Sequence, residues 1–414
     1  MEAINAGDTA WVLVSTALVL FMTPGLALFY GGMVRAKNVL AMLMQNFFAM
    51  GIVTVIWVLF GYTLAFGDLG NGGVIGNFDF IGLKDISPEA VFAGTTIPVI
   101  AFVAFQLTFA VITPALITGA IADRMRFVGW VGFIVLWSVL VYLPVAHWIF
   151  AGGWLAERGA LDFAGGTVVH VNAGAGALAL VFLLGKRRRW PKEPMPPHSL
   201  PLTLLGTGIL WFGWFGFNAG SALAANGVAA QAFLNTFVAA AAAMVAWLVV
   251  ERLKSGHATT LGAASGAVAG LVAITPCAGF VGGLAPLAIG GVAGAVCYLA
   301  ISLKFKFGYD DSLDVVAVHL VGGIIGSVLL GLFADASVNA AGADGVFFGG
   351  GWSLFGEQIF AVAVVMAFSF VVSLAIGYGL KKALPGGIRV SEEDEEIGLD
   401  LAQHSETGYA LERV

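Results

Sequence analysis

The segment that decides the fold is residues 163–185, which read FAGGTVVHVNAGAGALALVFLLG. It contains no Asp, Glu, Lys or Arg, and about 20 apolar residues in a helix are enough to cross the hydrocarbon core of a bilayer. Asp162 precedes the segment, and the basic run 186–189 follows it. The sequence therefore predicts a transmembrane helix that carries one ionisable side chain, His170, in its interior.

Ten further stretches share this apolar composition, which predicts an all-α integral membrane protein with eleven transmembrane helices. Only 11% of the 414 residues are charged, whereas soluble domains carry about 25%. We expect a multi-pass protein of the cell (inner) membrane. The predicted spans lie near residues 10–33, 40–66, 97–121, 128–149, 163–185, 199–219, 228–250, 259–276, 283–303, 313–333 and 355–380.

The distribution of basic residues predicts the orientation, because Lys and Arg concentrate in cytoplasmic loops. With the N-terminus outside and the C-terminus inside, all of the 19 Lys and Arg except Lys84 and Arg158 lie on the cytoplasmic side. Eleven helices divide into two inverted five-helix repeats plus one extra helix, and such repeats place a substrate site near the bilayer midplane. We assign residues 1–385 to the transmembrane domain and 386–414 to a cytoplasmic tail.

Two histidines lie inside predicted spans, where ionisable side chains are costly and usually functional. His170 follows Asp162, a candidate helix cap, by eight residues or about 12 Å of helix. His319 follows Asp314, near the inner start of the tenth span, by five residues or about 8 Å. The two histidines therefore approach the midplane from opposite faces. The alternative is that they are unrelated core residues, each hydrogen-bonded within its own helix.

Two neutral imidazoles side by side can share one hydrogen bond and still offer one donor and one acceptor. Burial favours their neutral form, so the pair could accept ammonia or pass a proton, and it suits a bare potassium ion poorly. Aromatic rings near the third, fifth and sixth spans could attract a cation through their faces, or could simply pack at the membrane interface. These rings are Phe105, Phe109, Phe150, Trp154, Trp211, Trp214, Phe215 and Phe217.

Several classes of function are disfavoured by the sequence. Cys277 and Cys297 lack the spacing of a metal site, and no other pattern calls for a metal or cofactor. No extended basic segment suggests nucleic acid. A membrane hydrolase would use Asp162 with a histidine, but no nucleophile elbow or carboxylate pair accompanies them. We therefore expect a protein that is not an enzyme.

Four motifs resemble those of the Amt/MEP/Rh ammonium transporter family, and the likeness extends over residues 8–409. The tail motif is similar to that of bacterial Amt proteins and not to that of Rh proteins. The motifs are DFAGGTVVH at 162–170, FYGGMVR at 29–35, GWFGFNAGS at 213–221 and GLDLAQH at 398–404.

The resemblance implies a homotrimer with one pore per subunit, which takes ammonium or methylammonium. It assigns Phe109, Phe150 and Ser221 to an external cation site, supported by the buried carboxylate of Asp162. Ammonium would lose its proton there, and ammonia would enter an apolar pore. At the cytoplasmic face, the inner loops and the tail would bind a PII-type nitrogen signalling protein, so the tail is expected to be regulatory.

Deeper in the pore, the resemblance assigns Phe109 and Phe217 to a stacked gate, and His170 and His319 to the twin pore histidines. Two positions depart from the family pattern: Phe150 stands where Trp is usual, and Leu320 where Gly is usual. Phe binds cations more weakly than Trp, and Trp148, two residues earlier, is a candidate to compensate. The sequence leaves open whether a proton follows the ammonia, and whether the protein is instead an ammonium sensor with low flux.

Overall fold

The computed structural model describes residues 3–68 and 72–409, and within these ranges the chain is helical, with two isolated β-bridges. Eleven helices form the body of the protein, and two short helices, α12 and α13, form the tail. Their bounds are α1 Ala6–Met33, α2 Ala36–Phe66, α3 Val99–Ile121, α4 127–149, α5 Gly166–Leu184, α6 Leu200–Ala219, α7 Gly227–Ser255, α8 Thr260–Ile274, α9 Ala285–Phe307, α10 Val316–Phe333, α11 Ser353–Ala383, α12 Glu392–Ile397 and α13 Leu399–His404.

Ten of these helices are long and apolar enough to cross a membrane, which confirms the predicted all-α membrane fold. The remaining helix of the body, α8, has only 15 residues. After α8 the chain stays buried but continues as turns over residues 275–281. Each predicted span coincides with one helix of the body, while the number of membrane crossings and the orientation stay predictions. Residues 410–414 of the predicted tail lie outside the described ranges.

The loops of the bundle gather at two opposite faces. At the N-terminal face, the Asn5 N–H donates to Thr96 O over 2.9 Å, and the Ala225 N–H donates to Asp8 over 2.8 Å. At the other, which we call the basic face, a network of buried charges links the loops. Its ion pairs are Arg35–Asp123, Arg187–Asp123 and Arg187–Asp310.

Helices α1 and α6 pack antiparallel, as do α5 and α10, and both contacts depend on glycine. A Cβ on Gly206 would lie 2.2 Å from Phe29 N, and one on Gly25 would lie 2.6 Å from Ile209. Likewise, a Cβ on Gly174 would lie 2.6 Å from Leu320, and one on Gly323 would lie 3.1 Å from the His170 Cβ. In the two predicted repeats, α1 and α6 are the first helices, and α5 and α10 are the fifth. Pairing of equivalent helices in this way is expected of two inverted five-helix repeats.

The two fifth helices begin in the same way. Both open with a π-helical turn, at Gly166–Val171 in α5 and at Val316–Val321 in α10. An aspartate caps each of them, Asp162 before α5 and Asp311 before α10, where Asp311 accepts from Val316 N at 2.7 Å. Each aspartate precedes its histidine by eight residues. The repeat symmetry therefore extends to the polar residues, although the cap of α10 is Asp311 and not its neighbour Asp314.

Candidate functional site

Three phenylalanines and one serine cluster near the N-terminal face, between α3, α4 and α6. The Phe109 ring lies 6.2 Å from the Phe150 ring, edge to face, and 4.3 Å from the Phe217 ring. Ser221 is tied to the same group, because its hydroxyl donates to Phe217 O over 2.8 Å. Since that bond uses the hydroxyl hydrogen, the Ser221 oxygen keeps its lone pairs for a donor. We call these four residues the aromatic cluster.

Asp162 supports the N-terminal end of α5 behind the aromatic cluster. Its carboxylate accepts four backbone N–H groups, from residues 165, 166, 167 and 168, at 2.7–2.9 Å. Gly165 makes this possible, since its φ of 119° suits only glycine. Gly165 also lies close to Phe150, because a Cβ added to Gly165 would be 3.5 Å from the Phe150 ring. Burial raises the pKa of the Asp162 carboxyl, while the four N–H donors act in the opposite direction.

At the inner end of the aromatic cluster, the Phe109 and Phe217 rings pack against each other. Both side chains are 1% exposed, and their planes are 32° apart. The rings are held by their own helices: Thr113 bonds to Phe109 O, and Ser221 bonds to Phe217 O. The two rings therefore form a buried apolar layer between the N-terminal face and the histidines.

The next layer inward is the histidine pair, His170 and His319. Their Nδ1 atoms lie 3.2 Å apart, and both side chains are buried. The His170 ring also stacks on Trp214 at 5.5 Å and lies 6.1 Å from the Phe217 ring. His170 therefore faces the aromatic cluster, and His319 faces the basic face.

Tyr30 of α1 lies at the far side of the histidine pair, and sequence reasoning did not identify it. Its hydroxyl donates to Leu116 O over 3.1 Å and lies 3.4 Å from His319 Nε2. Because the hydroxyl hydrogen is used, Tyr30 accepts from His319 Nε2–H. His319 Nδ1 is then the acceptor of the shared bond, and His170 Nδ1–H is its donor. His170 Nε2, which is buried without a partner, is left with a free lone pair.

The space around the histidines is narrow and apolar. It has a volume of about 10 Å³, which is room for about one water-sized molecule. The two imidazoles are the only side chains in its wall that readily exchange a proton. The wall is formed by Met22, Leu26, Ile112, Leu116, Val169, His170, Leu210, Trp214, Phe217, Val268 and His319.

A wider cavity of about 440 Å³ opens beyond Tyr30 at the basic face. Its wall includes Asp314 and the charged network of Arg35, Asp123 and Arg187. Burial works against ionisation of Asp310 in this network, but the Arg187 guanidinium holds the pKa of that carboxyl below its usual range. The aromatic cluster, the histidine pair and this cavity thus follow one another from the N-terminal face to the basic face, and we call this series of layers the path.

Several residues that the sequence singled out lie elsewhere. Trp148, which follows His147 in the fourth span, donates its indole N–H to Val74 O over 2.7 Å and packs on Phe368 and Trp154. It is therefore occupied outside the aromatic cluster. Phe215 stacks on Phe233 at 4.0 Å, on the outer side of α6. Leu320 is buried against Gly174, so the larger side chain fits beside α5 without entering the histidine layer.

Comparisons with known proteins agree on one family. The model of the Ammonium Transporter Family matches residues 10–409. The chain is 52% identical to an ammonium transporter of Mycobacterium tuberculosis (strain H37Rv), over 98% of this chain and 90% of that protein. It resembles the crystal structure of Candida albicans Mep2, with a TM-score of 0.90, 35% identity and coverage of 99% and 94% of the two chains.

A second solved structure, described as a sensor Amt protein, has a TM-score of 0.87 and 29% identity, over 96% of this chain and 98% of that chain. Such likeness along nearly the whole chain covers every residue of the path described above. The chain therefore belongs to the ammonium transporter family.

Proposed function

We propose that the protein carries ammonium from the N-terminal face, outside the cell, to the basic face in the cytoplasm. The observation that carries this proposal is the histidine pair, buried in an apolar space of about 10 Å³ behind stacked rings. Such a space excludes hydrated ions and admits a small neutral molecule such as ammonia. The wall offers two imidazoles, which can exchange hydrogen bonds with that molecule.

Ammonium binds first at the aromatic cluster. The faces of Phe109 and Phe150 attract the cation, at about 0.5–2 kcal/mol per ring depending on desolvation. The free lone pairs of Ser221 accept one ammonium N–H, and the charge of Asp162 lies behind the cluster. Methylammonium, which keeps N–H donors and the positive charge, is expected to bind there as well.

Conduction requires that ammonium lose its proton, because burying a bare cation in this wall costs several kcal/mol or more. His170 Nε2, whose lone pair is free, is the proposed acceptor of this proton. The shared bond then leads to His319, whose Nε2–H is oriented by the Tyr30 oxygen and releases its proton toward the cavity at the basic face. Ammonia passes through the same layer, and the proton follows along the imidazoles, so that net charge crosses.

Proteoliposomes test this function directly. A pulse of ammonium, and separately of methylammonium, is expected to produce an inward current with little change in internal pH, because the proton enters with the ammonia. A pH change without current would mean that neutral ammonia crosses alone, which contradicts the proton relay. Absence of both signals would contradict transport itself.

A second candidate is an ammonium sensor with low flux, which the likeness to the sensor Amt protein favours. A sensor would bind ammonium at the aromatic cluster and report through the tail. The same proteoliposomes separate the two, because a sensor would bind ammonium and give little current.

We also propose a homotrimer and a PII-type partner at the basic face. Large apolar side chains on α1, α6 and α7 are exposed in the single chain, among them Phe21, Phe212 and Phe237, and neighbouring subunits or lipid would cover them. The mass of the detergent-solubilised complex tests the oligomeric state. A monomer at all protein concentrations would contradict it.

Replacing Phe150 with Trp is expected to lower the half-saturating ammonium concentration about threefold. Trp offers a larger and more electron-rich face, and a gain of about 0.7 kcal/mol corresponds to that factor. Maximal flux is expected to stay level or fall, because tighter binding does not speed the barrier step. Transport currents measured against ammonium concentration test this.

Trp148→Ala is the control for the Phe150 variant. Since Trp148 bonds to Val74 and packs away from the aromatic cluster, its loss should leave the half-saturating concentration unchanged. Weaker ammonium binding in Trp148→Ala, together with no effect of Phe150→Trp, would place the third wall of the cation site at Trp148.

Removing the tail after Lys382 is expected to abolish capture of a PII-type protein while the helices of the bundle still insert. The tail holds the loops of the basic face, since Asp400 accepts from Leu40 N and Ala41 N at 3.0 and 2.8 Å. Glu395 likewise accepts from Arg188 N at 2.6 Å. Pull-down from the full-length and truncated proteins measures the difference.

Two point variants sharpen the tail experiment. Asp400→Ala removes the contacts with the start of α2 and should reduce capture, whereas Glu392→Gln changes an exposed side chain and should not. Equal capture by the full-length and truncated proteins would contradict a role of the tail in docking.

A further inference from the structure

The indole of Trp214 lies against the histidine pair, but its N–H group is bonded to a residue behind it. The ring stacks on His170, with 5.5 Å between ring centres and 21° between planes, and it lines the narrow apolar space. The indole N–H donates to Thr275 Oγ1 over 2.9 Å. Because an indole has only this one donor, Trp214 offers the histidine pair a ring face and no hydrogen bond.

Thr275 can hold the indole firmly because its own hydroxyl is fixed. The Thr275 hydroxyl donates to Leu271 O over 2.7 Å, so its oxygen keeps lone pairs for the indole N–H. Thr275 is fully buried and lies at the end of α8, where the helix gives way to turns. Trp214, Thr275 and Leu271 therefore form a short chain in which each hydrogen has one acceptor.

The same end of α8 also touches the start of α5. A Cβ on Gly166 would lie 2.4 Å from Pro276, and the Phe163 N–H donates to Pro276 O over 3.1 Å. Gly166 opens the π-helical turn that contains His170. Residues 275–276 therefore contact His170 indirectly from two sides, through the backbone of its own turn and through the indole stacked on its ring.

We propose that Thr275 is a positioning residue for the histidine pair, because it fixes the plane of the indole on which the His170 ring stacks. In that orientation the His170 Nδ1 atom meets His319 Nδ1 at 3.2 Å. The bond to Thr275 also keeps the Trp214 N–H away from His170 Nε2, which stays free to accept a proton. This role rests on the proposed proton relay, and it assigns the geometry of the relay to a residue outside the wall of the narrow space.

Transport by threonine variants tests this role. Thr275→Val has a similar shape but cannot accept the indole N–H, so the indole and the imidazole stacked on it lose their fixed orientation. We expect the maximal ammonium current of proteoliposomes with equal protein content to fall about tenfold or more, since small displacements of reacting groups can cost about 100-fold. The half-saturating concentration should not change, because Phe150 and Ser221 are not altered. Thr275→Ser keeps the hydroxyl and should keep most of the current.

Thr236→Val is the matched control. Thr236 is buried, accepts from Asn218 Nδ2 of α6 over 2.9 Å and donates to Ala232 O over 2.6 Å. It therefore ties α6 to α7 as Thr275 ties α6 to α8, but its partner does not stack on His170. Thr236→Val should keep the maximal current. An unchanged current in Thr275→Val, or equal losses in the two valine variants, would overturn the positioning role.

A double variant tests whether Thr275 acts through the indole. Trp214→Phe removes the N–H group and keeps an aromatic ring at the same position. Once the N–H group is gone, adding Thr275→Val should cause no further loss of current, whereas residues with independent roles give losses that multiply. Multiplying losses would mean that Thr275 does not act through Trp214 and would overturn the proposal.

Nitrogen-15 spectra of histidine-labelled protein in lipid bilayers report on the pair without any transport. The chain has only six histidines, and a shared Nδ1–H···Nδ1 bond produces a coupling between the two nitrogen nuclei. This coupling should be present in the wild type, Thr275→Ser and Thr236→Val, and lost in Thr275→Val. Its persistence in Thr275→Val would overturn the positioning role. A wild type that shows the coupling but carries no current would instead contradict the proposed transport function.

Discussion

Replacing Asp162 with Ala is expected to abolish ammonium-dependent current. The carboxylate accepts four backbone N–H groups at the start of α5, and hydrogen bonds to a charged group contribute about 1.5–3 kcal/mol each. Alanine would leave these donors without a partner and would displace the turn at Gly165, which lies beside Phe150. It would also remove the negative charge behind the aromatic cluster. Currents from proteoliposomes of equal protein content measure the loss.

Asp162→Asn removes the charge but keeps part of the cap, because the amide oxygen still accepts two of the four N–H groups while the amide nitrogen cannot accept the other two. We expect this variant to fold and to raise the half-saturating ammonium concentration at least several-fold. Asp311→Asn is the matched control: it neutralises the equivalent cap at the opposite end, and external binding should not change. Normal transport by Asp162→Asn would mean that the residue supports only the backbone, and that its charge does not attract ammonium.

The spans could be predicted from the sequence because a bilayer fixes the length and polarity of any helix that crosses it. Their ends were less predictable, because caps and turns decide them. The predicted span 163–185 becomes helical only at Gly166, since Gly165 adopts a positive φ and Asp162 collects the first N–H groups. Helix α8 is shorter than a typical span because its buried course continues as turns.

The sequence identified some polar residues of the path and missed others. His170 and His319 stand out as the only histidines near the middle of long apolar segments, and the structure brings their rings together. Asp311 was overlooked in favour of Asp314, although its eight-residue distance to His319 repeats that of Asp162 to His170. That repeated spacing was the signal available in the sequence.

Tyr30 lies in the motif at residues 29–35, but nothing in that motif indicated a contact with His319. It lies 289 positions from His319 in the sequence, in a segment whose other residues suit an ordinary span. Only the antiparallel packing of the helices brings its hydroxyl to the imidazole. The effect of Leu320 was equally unreadable, because it depends on the absence of a side chain at Gly174 in a different helix.

Replacing either histidine of the pair with Ala is expected to reduce the ammonium current about 100-fold or more, while the protein still inserts and assembles. Positioned acid–base groups commonly contribute factors of about 10²–10⁴, and the relay has no substitute for either imidazole in its wall. Current and internal pH are measured together in proteoliposomes. Normal ammonium-selective current in both His170→Ala and His319→Ala would contradict the relay.

Alanine also enlarges the narrow space, so a variant that keeps its volume is needed to interpret the result. His170→Leu fills the layer with a side chain that cannot exchange a proton, and Tyr30→Phe removes only the hydroxyl beside His319. If the histidines relay protons, His170→Leu loses the current but can still pass neutral ammonia, and Tyr30→Phe loses only a few-fold. If they merely fill space, His170→Leu keeps the current. The ratio of charge moved to ammonia moved therefore distinguishes a proton relay from an apolar filter, because only a relay couples the two.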